Sequence, residues 1–232
     1  MQKLIYTFLI LFAIFTGPSL CHAENPATEA PEDIARRLQQ RYDNMQSLSF
    51  NFSQDTSGEM TGRPRKGGGS AIFFKGDDTS KMRWDYSRPD IQVLISDGVT
   101  FSMYFENLQQ IIVTPAKALE ADLTYSFFTG KGDLLRDFYL HPADTNFQNE
   151  SSQEFKVIKM VPKQPRSQVQ DIHLWVSNDS LIRRINIRDH FGTITILNLS
   201  NIKPDGLNNI GIQELETLFS FVPPEGTEVI NQ

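Results

Sequence analysis

From Ser47 onward the chain alternates: Leu48, Phe50 and Phe52 are apolar, and Ser49, Asn51 and Ser53 between them are polar. A period of two sends one set of side chains to a buried face and the other to water, the pattern of a half-buried strand. The cadence returns in Met82, Trp84 and Tyr86, in Val93 and Ile95, and over Val99 to Phe105. It continues through Phe155 to Met160, Ile172 to Val176, Leu181 to Ile187 and Thr193 to Leu199, and again in Phe219 and Phe221. Turn-forming clusters separate these runs, among them Gly67-Gly68-Gly69, Ser87-Arg88-Pro89-Asp90, Ser96-Asp97-Gly98, Ser177-Asn178-Asp179-Ser180 and Lys203-Pro204-Asp205-Gly206. About ten or eleven strands at hairpin spacing predict a mainly β (α+β) fold, a strongly curved antiparallel sheet or unclosed barrel.

Two stretches follow the helical period instead. Pro31 opens a helix with Glu32 and Asp33 in its first turn, where proline's missing donor costs nothing and acids suit the positive end of the dipole. Ile34, Leu38, Tyr42 and Met45 recur at helical spacing and give it one narrow apolar stripe, which must lie against something apolar. Between the strands, Thr114-Pro115 leads into a turn or two of helix over Ala116 to Ala121, and Tyr125 to Thr129 reads as another. Asp133 caps a third short piece carrying Leu134, Leu135 and Phe138. Helices this few and short can cover one face or the mouth of a curved sheet but cannot fill a wide barrel. Such a sheet either packs its interior with side chains or leaves a cavity for a ligand, and the pattern alone leaves both open.

The first segment has one positive charge at Lys3, an apolar stretch from Leu4 to Phe15 and a small-x-small ending at Cys21-His22-Ala23. That describes a secretory signal peptide cut after Ala23, too short to span a bilayer, with 24–232 as a single domain. Cys21 raises the possibility of a lipid anchor, but the residue before a lipidated cysteine is normally small and here it is Leu20. No cysteine follows, which removes disulfides, thiolate metal sites and cysteine nucleophiles together. The formal net charge of −6 argues against nucleic acid or another polyanion as the main partner.

Catalytic machinery is not visible. Beyond the signal segment the histidines are His141, His173 and His190, with no metal-ligand spacing, no HExxH or GxSxG, and no glycine-rich phosphate loop before a helix. Asp77, Asp78 and Asp85 read as solvated carboxylates, and Ser102 and Ser126 have no base beside them in sequence, so no enzyme, metal or cofactor is expected. Arg63-Pro64-Arg65-Lys66 is the densest basic patch and reads first as a solvated hairpin tip, with anionic headgroups or an acidic protein as the functional alternative. The aromatic load is what stands out, with 17 Phe, 6 Tyr and 2 Trp. Phe50, Phe52, Phe74, Trp84, Tyr86, Phe101, Phe127 and Phe128 together suit an apolar pocket under a thin helical cover.

At these residues the chain resembles the LolA family of periplasmic outer-membrane lipoprotein carriers. The resemblance is carried by the N-terminal helix followed by Leu48-Ser49-Phe50-Asn51-Phe52-Ser53-Gln54, by Met82-Arg83-Trp84-Asp85-Tyr86, and by Gln92-Val93-Leu94-Ile95-Ser96-Asp97-Gly98. It continues in Phe127-Phe128-Thr129-Gly130-Lys131-Gly132-Asp133-Leu134 and Phe219-Ser220-Phe221-Val222-Pro223-Pro224-Glu225-Gly226. The resemblance implies an unclosed antiparallel barrel with a helical lid enclosing an apolar cavity. It also implies a monomeric shuttle that takes acylated lipoproteins from an inner-membrane ATP-binding-cassette release complex to an outer-membrane lipoprotein receptor.

Strand parity then assigns Phe50, Phe52, Met82, Trp84, Tyr86, Val93 and Ile95 to the inward, lipid-binding face. Leu38 and Met45 of the first helix, with Phe127, Phe128 and Leu135 of the insert, line the lid. The chain departs from the family pattern in two places. Members often carry Arg-Pro shortly before the Met-Arg-Trp element, an arginine resembling a latch between lid and barrel; here the stretch is Lys75 to Lys81, leaving Lys75 or Arg83 as substitutes. Of a usual Trp-x-Tyr-x-Pro strand only Tyr104 remains. Two further readings stay open on the same fold: a carrier or sensor of another periplasmic lipid, and the outer-membrane receptor, which requires an acylated Cys21.

Overall fold

The computed structural model describes residues 29–58, 62–76, 79–121, 123–129, 132–164 and 169–232. The expected signal segment, with Cys21, lies outside the described residues. Helix α1 (Pro31–Asp43) leads into β1 (Ser47–Ser57), β2 (Arg65–Lys75), β3 (Ser80–Arg88), β4 (Gln92–Ser96), β5 (Thr100–Phe105) and β6 (Gln110–Pro115). A 3-10 turn at Ala116–Ala121, α2 (Leu123–Phe128) and α3 (Leu134–Asp137) form the insert. Then follow β7 (Phe138–Pro142), α4 (Thr145–Gln148), β8 (Phe155–Pro162), β9 (Asp171–Ser177), β10 (Ile182–Arg188), β11 (Ile194–Pro204), α5 (Ile212–Leu218) and β12 (Glu228–Asn231).

Among the described residues 12 strands form one sheet, in the order β12-β6-β5-β4-β3-β2-β1-β11-β10-β9-β8-β7. Neighbours pair antiparallel except β12, which runs parallel to β6. The two ends, β12 and β7, do not meet, so the barrel is unclosed as the pattern suggested. The strand count exceeds the ten or eleven expected: β6, β7 and β12 are too short or too mixed in polarity to show an alternating run, and β2 begins in a glycine run that reads as a turn.

Gly67-Gly68-Gly69 corrects a sequence expectation. These glycines are not a turn but lie inside β2, where the register with β3 shifts between Gly68 and Gly69. A side chain at Gly69 would begin 1.8 Å from the Asp85 carbonyl oxygen, so only glycine lets the two backbones approach this closely. A bulge increases local twist, and here it helps curl the central strands around what lies inside.

The concave face is the main core. Phe50 and Phe52 of β1, Phe73 of β2, Met82 and Trp84 of β3, and Leu197 and Leu199 of β11 share one cluster with Leu174 and Val176 of β9. Helix α1 drops its stripe onto this cluster through Ile34, Ala35, Leu38 and Tyr42, with Met45 buried just past its end, as the spacing predicted. The opposite face is also partly buried. Val93, Ile95, Tyr104 and Ile111 form a second cluster with Phe221 packed on it, its ring 5.1 Å from Tyr104. Phe219 and Phe221 are therefore not a strand: Phe219 ends α5, and the segment beyond it runs across the convex face to β12.

Candidate functional site: an apolar cavity under the helices

Between the concave face and the insert lies a cavity of about 310 Å³ lined by Gln54, Phe73, Met82, Trp84, Tyr86, Leu94, Phe101, Leu119, Tyr125 and Leu197. Residues directly opposite in an antiparallel pair share a face, and the lining follows from that rule. Phe73 faces Met82, Trp84 faces Leu94, and Gln54 faces Leu197. Leu119 comes from the 3-10 turn and Tyr125 from α2, so sheet and insert each supply part of the wall.

The predicted lining residues fall into three groups. Met82, Trp84 and Tyr86 line the cavity. Phe50 and Phe52 stand behind them as packing, with ring centroids 5.7 and 4.7 Å from Trp84, and Leu38 and Met45 are buried in the same core. Phe128 stacks on Phe73 at 4.9 Å, and Phe127 lies against Tyr42 at 4.7 Å, which joins the insert to α1.

Val93 and Ile95 are corrections. They face the other way, because Trp84 and Met82 stand opposite Leu94 and Ser96, not opposite Val93 or Ile95. Leu135 is a correction of the same kind: Leu134 is the residue buried in the core, and Leu135 is half-buried at the edge of α3. Phe73 lies inward and its neighbour Phe74 is half-buried, the reverse of the sequence choice. Leu94, Phe101 and Phe73 could have been found from the sequence once β3 was taken as the reference strand, since pairing fixes their face. Leu119 carries no comparable signal, whereas Leu197 lies in the alternating run Thr193 to Leu199 and stands opposite Gln54.

Few polar ties hold the helices to the sheet. The Lys75 ammonium, one of the two substitutes named for the latch, donates to the Tyr42 carbonyl at the end of α1. Burial lowers the Lys75 pKa, while Asp43 and Asp205 pull it back up. Arg83, the other substitute, reaches the end of α5 on the convex face. It pairs with Asp85 at 2.8 Å and donates to the Leu218 and Ser220 carbonyls at 3.2 and 3.3 Å, pinning the C-terminal segment to the convex face. Gln39 bridges α1 to α3, donating to the Gly132 carbonyl at 3.1 Å and accepting from the Leu134 N–H at 3.0 Å. Arg37 donates to the Ser177 carbonyl at 3.0 Å and the Ser180 hydroxyl at 2.9 Å. The Asp133 carboxylate caps α3 by accepting the Arg136 N–H at 2.9 Å, as its position predicted.

Other polar clusters lie outside the cavity. His173 is buried with Asp144, Asp171, Lys159 and Arg188 nearby, and its Nε2 is 3.3 Å from the Asp144 carboxylate, with no hydrogen-bond partner among the described residues. Among the described residues no group of His, Cys, Asp and Glu is arranged to hold a metal, and no helix is long and apolar enough to cross a membrane.

A curved antiparallel sheet with an apolar cavity beneath a helical cover defines the class: an unclosed barrel built to house an apolar guest. Residues 43–209 match the family described as Outer membrane lipoprotein carrier protein LolA, and the chain belongs to this family. A Nitrosomonas europaea protein named outer-membrane lipoprotein carrier protein is 28% identical over 186 residues, covering 79% of this chain and 83% of its own. One of the same name from Alkalilimnicola ehrlichii is 29% identical over 235 residues, covering 99% of this chain and 96% of its own. Among solved structures, an uncharacterized conserved protein from Thermus thermophilus matches with a TM-score of 0.50 at 11% identity, over 87% of this chain and 98% of that one, a likeness of fold alone.

Proposed function

We propose that this protein is a periplasmic carrier, exported by a signal peptide cut after Ala23, that shelters the acyl chains of lipoproteins between the inner and outer membranes. The observation that carries the reading is the apolar cavity between the concave face and the insert, in a chain whose family and relatives bear the carrier name. Burying a methylene is worth about 0.8 kcal/mol, so one acyl chain of about a dozen carbons costs on the order of 10 kcal/mol in bare water. Contacts to Met82, Trp84, Leu94, Phe101 and Leu197 offset that cost by area and demand no single ligand shape, which suits a guest that must also leave.

The cavity equals about ten water volumes at about 30 Å³ each, room for about one chain. A multiply acylated cargo therefore needs the helices to move off the sheet. The ties of α1 to the sheet at Lys75, Arg37 and Tyr42 are side-chain bonds, which break more easily than strand pairing. An ATP-driven release complex in the inner membrane and a receptor in the outer membrane complete the cycle, and the protein's part is binding and transfer without chemistry.

The test is release of a native acylated lipoprotein from spheroplasts by the purified mature protein. A soluble one-to-one complex is expected, and its loss in Trp84→Glu, which puts a charge on the cavity wall. If no lipoprotein is released while free lipid copurifies, the cargo is another lipid. An intact mass showing an acylated Cys21 would point instead to the receptor.

A further inference from the structure

The cavity wall changes character along its length. On β3 the inward residues run Met82, Trp84, Tyr86, and on β1 they run Phe50, Phe52, Gln54. Gln54 and Tyr86 are half-buried whereas Met82 and Phe52 are buried, so the polar end is also the more exposed end. The Tyr86 hydroxyl donates to Gln54 Oε1 at 2.8 Å, and Gln54 Nε2 donates to the Thr56 hydroxyl at 3.2 Å. Beside them Trp84 is 8% exposed, and its indole Nε1–H is buried with no hydrogen-bond partner among the described residues. Burial raises the Tyr86 pKa, and the nearby Trp84 N–H partly offsets the rise, which places the two groups side by side although no bond of normal geometry joins them. The far end, at Phe101 and Leu119, is apolar.

A wall made for hydrocarbon alone has no use for a buried donor without an acceptor, since such a group weakens the fold. We infer that the cavity recognises a carbonyl as well as a chain: as Trp84 and Tyr86 turn to the guest, the ester or amide carbonyl at the head of an acyl chain accepts from the indole and the hydroxyl, and the methyl end lies at Phe101 and Leu119. This inference rests on the acyl-site reading. When Tyr86 turns to the guest, water satisfies the Gln54 oxygen it releases, because Gln54 is half-buried. The amide and ester linkages of an acylated lipoprotein both present such a carbonyl, whereas an ether-linked chain does not.

The experiment uses two probes of equal chain length, a dodecanoyl lysophosphatidylcholine with its ester carbonyl and the ether analogue without it, titrated calorimetrically below micelle formation. The wild type is expected to bind the ester about five- to tenfold more tightly, the worth of about one buried hydrogen bond. In Tyr86→Phe and in Trp84→Phe, each read by the ratio of the two affinities alone, the preference shrinks toward one. Equal affinity of the wild type for both probes overturns the inference and leaves the acyl site standing. Binding of neither probe overturns both.

Discussion

Replacing Tyr42 by Phe removes one oxygen where α1 meets the sheet. Tyr42 is 2% exposed, its ring lies against Phe127 and Phe128, and its hydroxyl oxygen accepts the Ile182 N–H at 3.2 Å, where the register of β10 against β9 is irregular. Burial pushes the phenol pKa far above its ordinary value, so the group stays neutral and acts only as a hydrogen-bonding partner. Phenylalanine keeps every ring contact and leaves the buried Ile182 N–H unpaired. The cost is about 1–3 kcal/mol, the desolvation penalty of an orphaned amide. At a urea m-value of about 2 kcal/mol/M, a loss of about 2 kcal/mol lowers the unfolding midpoint by about 1 M with m unchanged. Tryptophan fluorescence follows the transition, and amide exchange at Ile182 reports the local change, with faster exchange expected in the variant. A midpoint within about 0.2 M of the wild type, with Ile182 still protected, would refute the claim that this bond fastens α1 to the sheet.

Three other outcomes follow from named contacts. Gly69→Ala should lose about 3 kcal/mol or fail to fold, since its Cβ meets the Asp85 backbone at 1.8 Å; an unchanged melting temperature by circular dichroism would sink the close-approach argument. Arg83→Leu should free the C-terminal segment, so that chymotrypsin cuts at Phe219 or Phe221 sooner than in the wild type while the central sheet keeps its circular dichroism; equal cleavage rates would show that Arg83 does not hold it. His173 has its pKa lowered from the ordinary 6.5 by burial, against the opposing pull of Asp144 and Asp171 and with the aid of Lys159 and Arg188. The unfolded chain therefore binds the proton first, and stability falls as pH drops below about 6.5 toward the folded value. His173→Gln should flatten the fall in urea midpoint between about pH 7.5 and 5, and identical slopes would exclude His173 as its source. Asp144 adds its own loss only in more acid solution: burial would raise its pKa, but Lys159, His173 and Arg188 outweigh that and hold it low.

Fold class and cover were legible because they rest on local periods. The stripe Ile34, Leu38, Tyr42, Met45 landed on the core, and the alternation through Phe50, Phe52, Met82 and Trp84 lies on the concave face. Short elements escaped: β6 mixes Gln110 and Thr114 with Ile111, Ile112 and Val113, and β7 ends in His141-Pro142, so neither shows alternation long enough to read. The glycine run misled for a physical reason. Glycine serves both turns and close backbone approach, and only the position of Asp85 across the ladder decides between them.

The cavity wall was harder because β4 is apolar on both faces. Val93, Leu94 and Ile95 are consecutive, so periodicity cannot say which points inward, and either choice buries an aliphatic side chain. Two distant facts settle it. Pairing with β3 sets Leu94 opposite Trp84, and the C-terminal segment brings Phe221 to the convex face, where Val93 and Ile95 find their cover. That segment lies beyond residue 209, where the match to the family ends. A strand apolar on both faces therefore implies a second cover somewhere in the chain. The motif Phe219-Ser220-Phe221 supplies it, and reading the three residues as one more strand hid a part of the sequence that bears on the parity of β4.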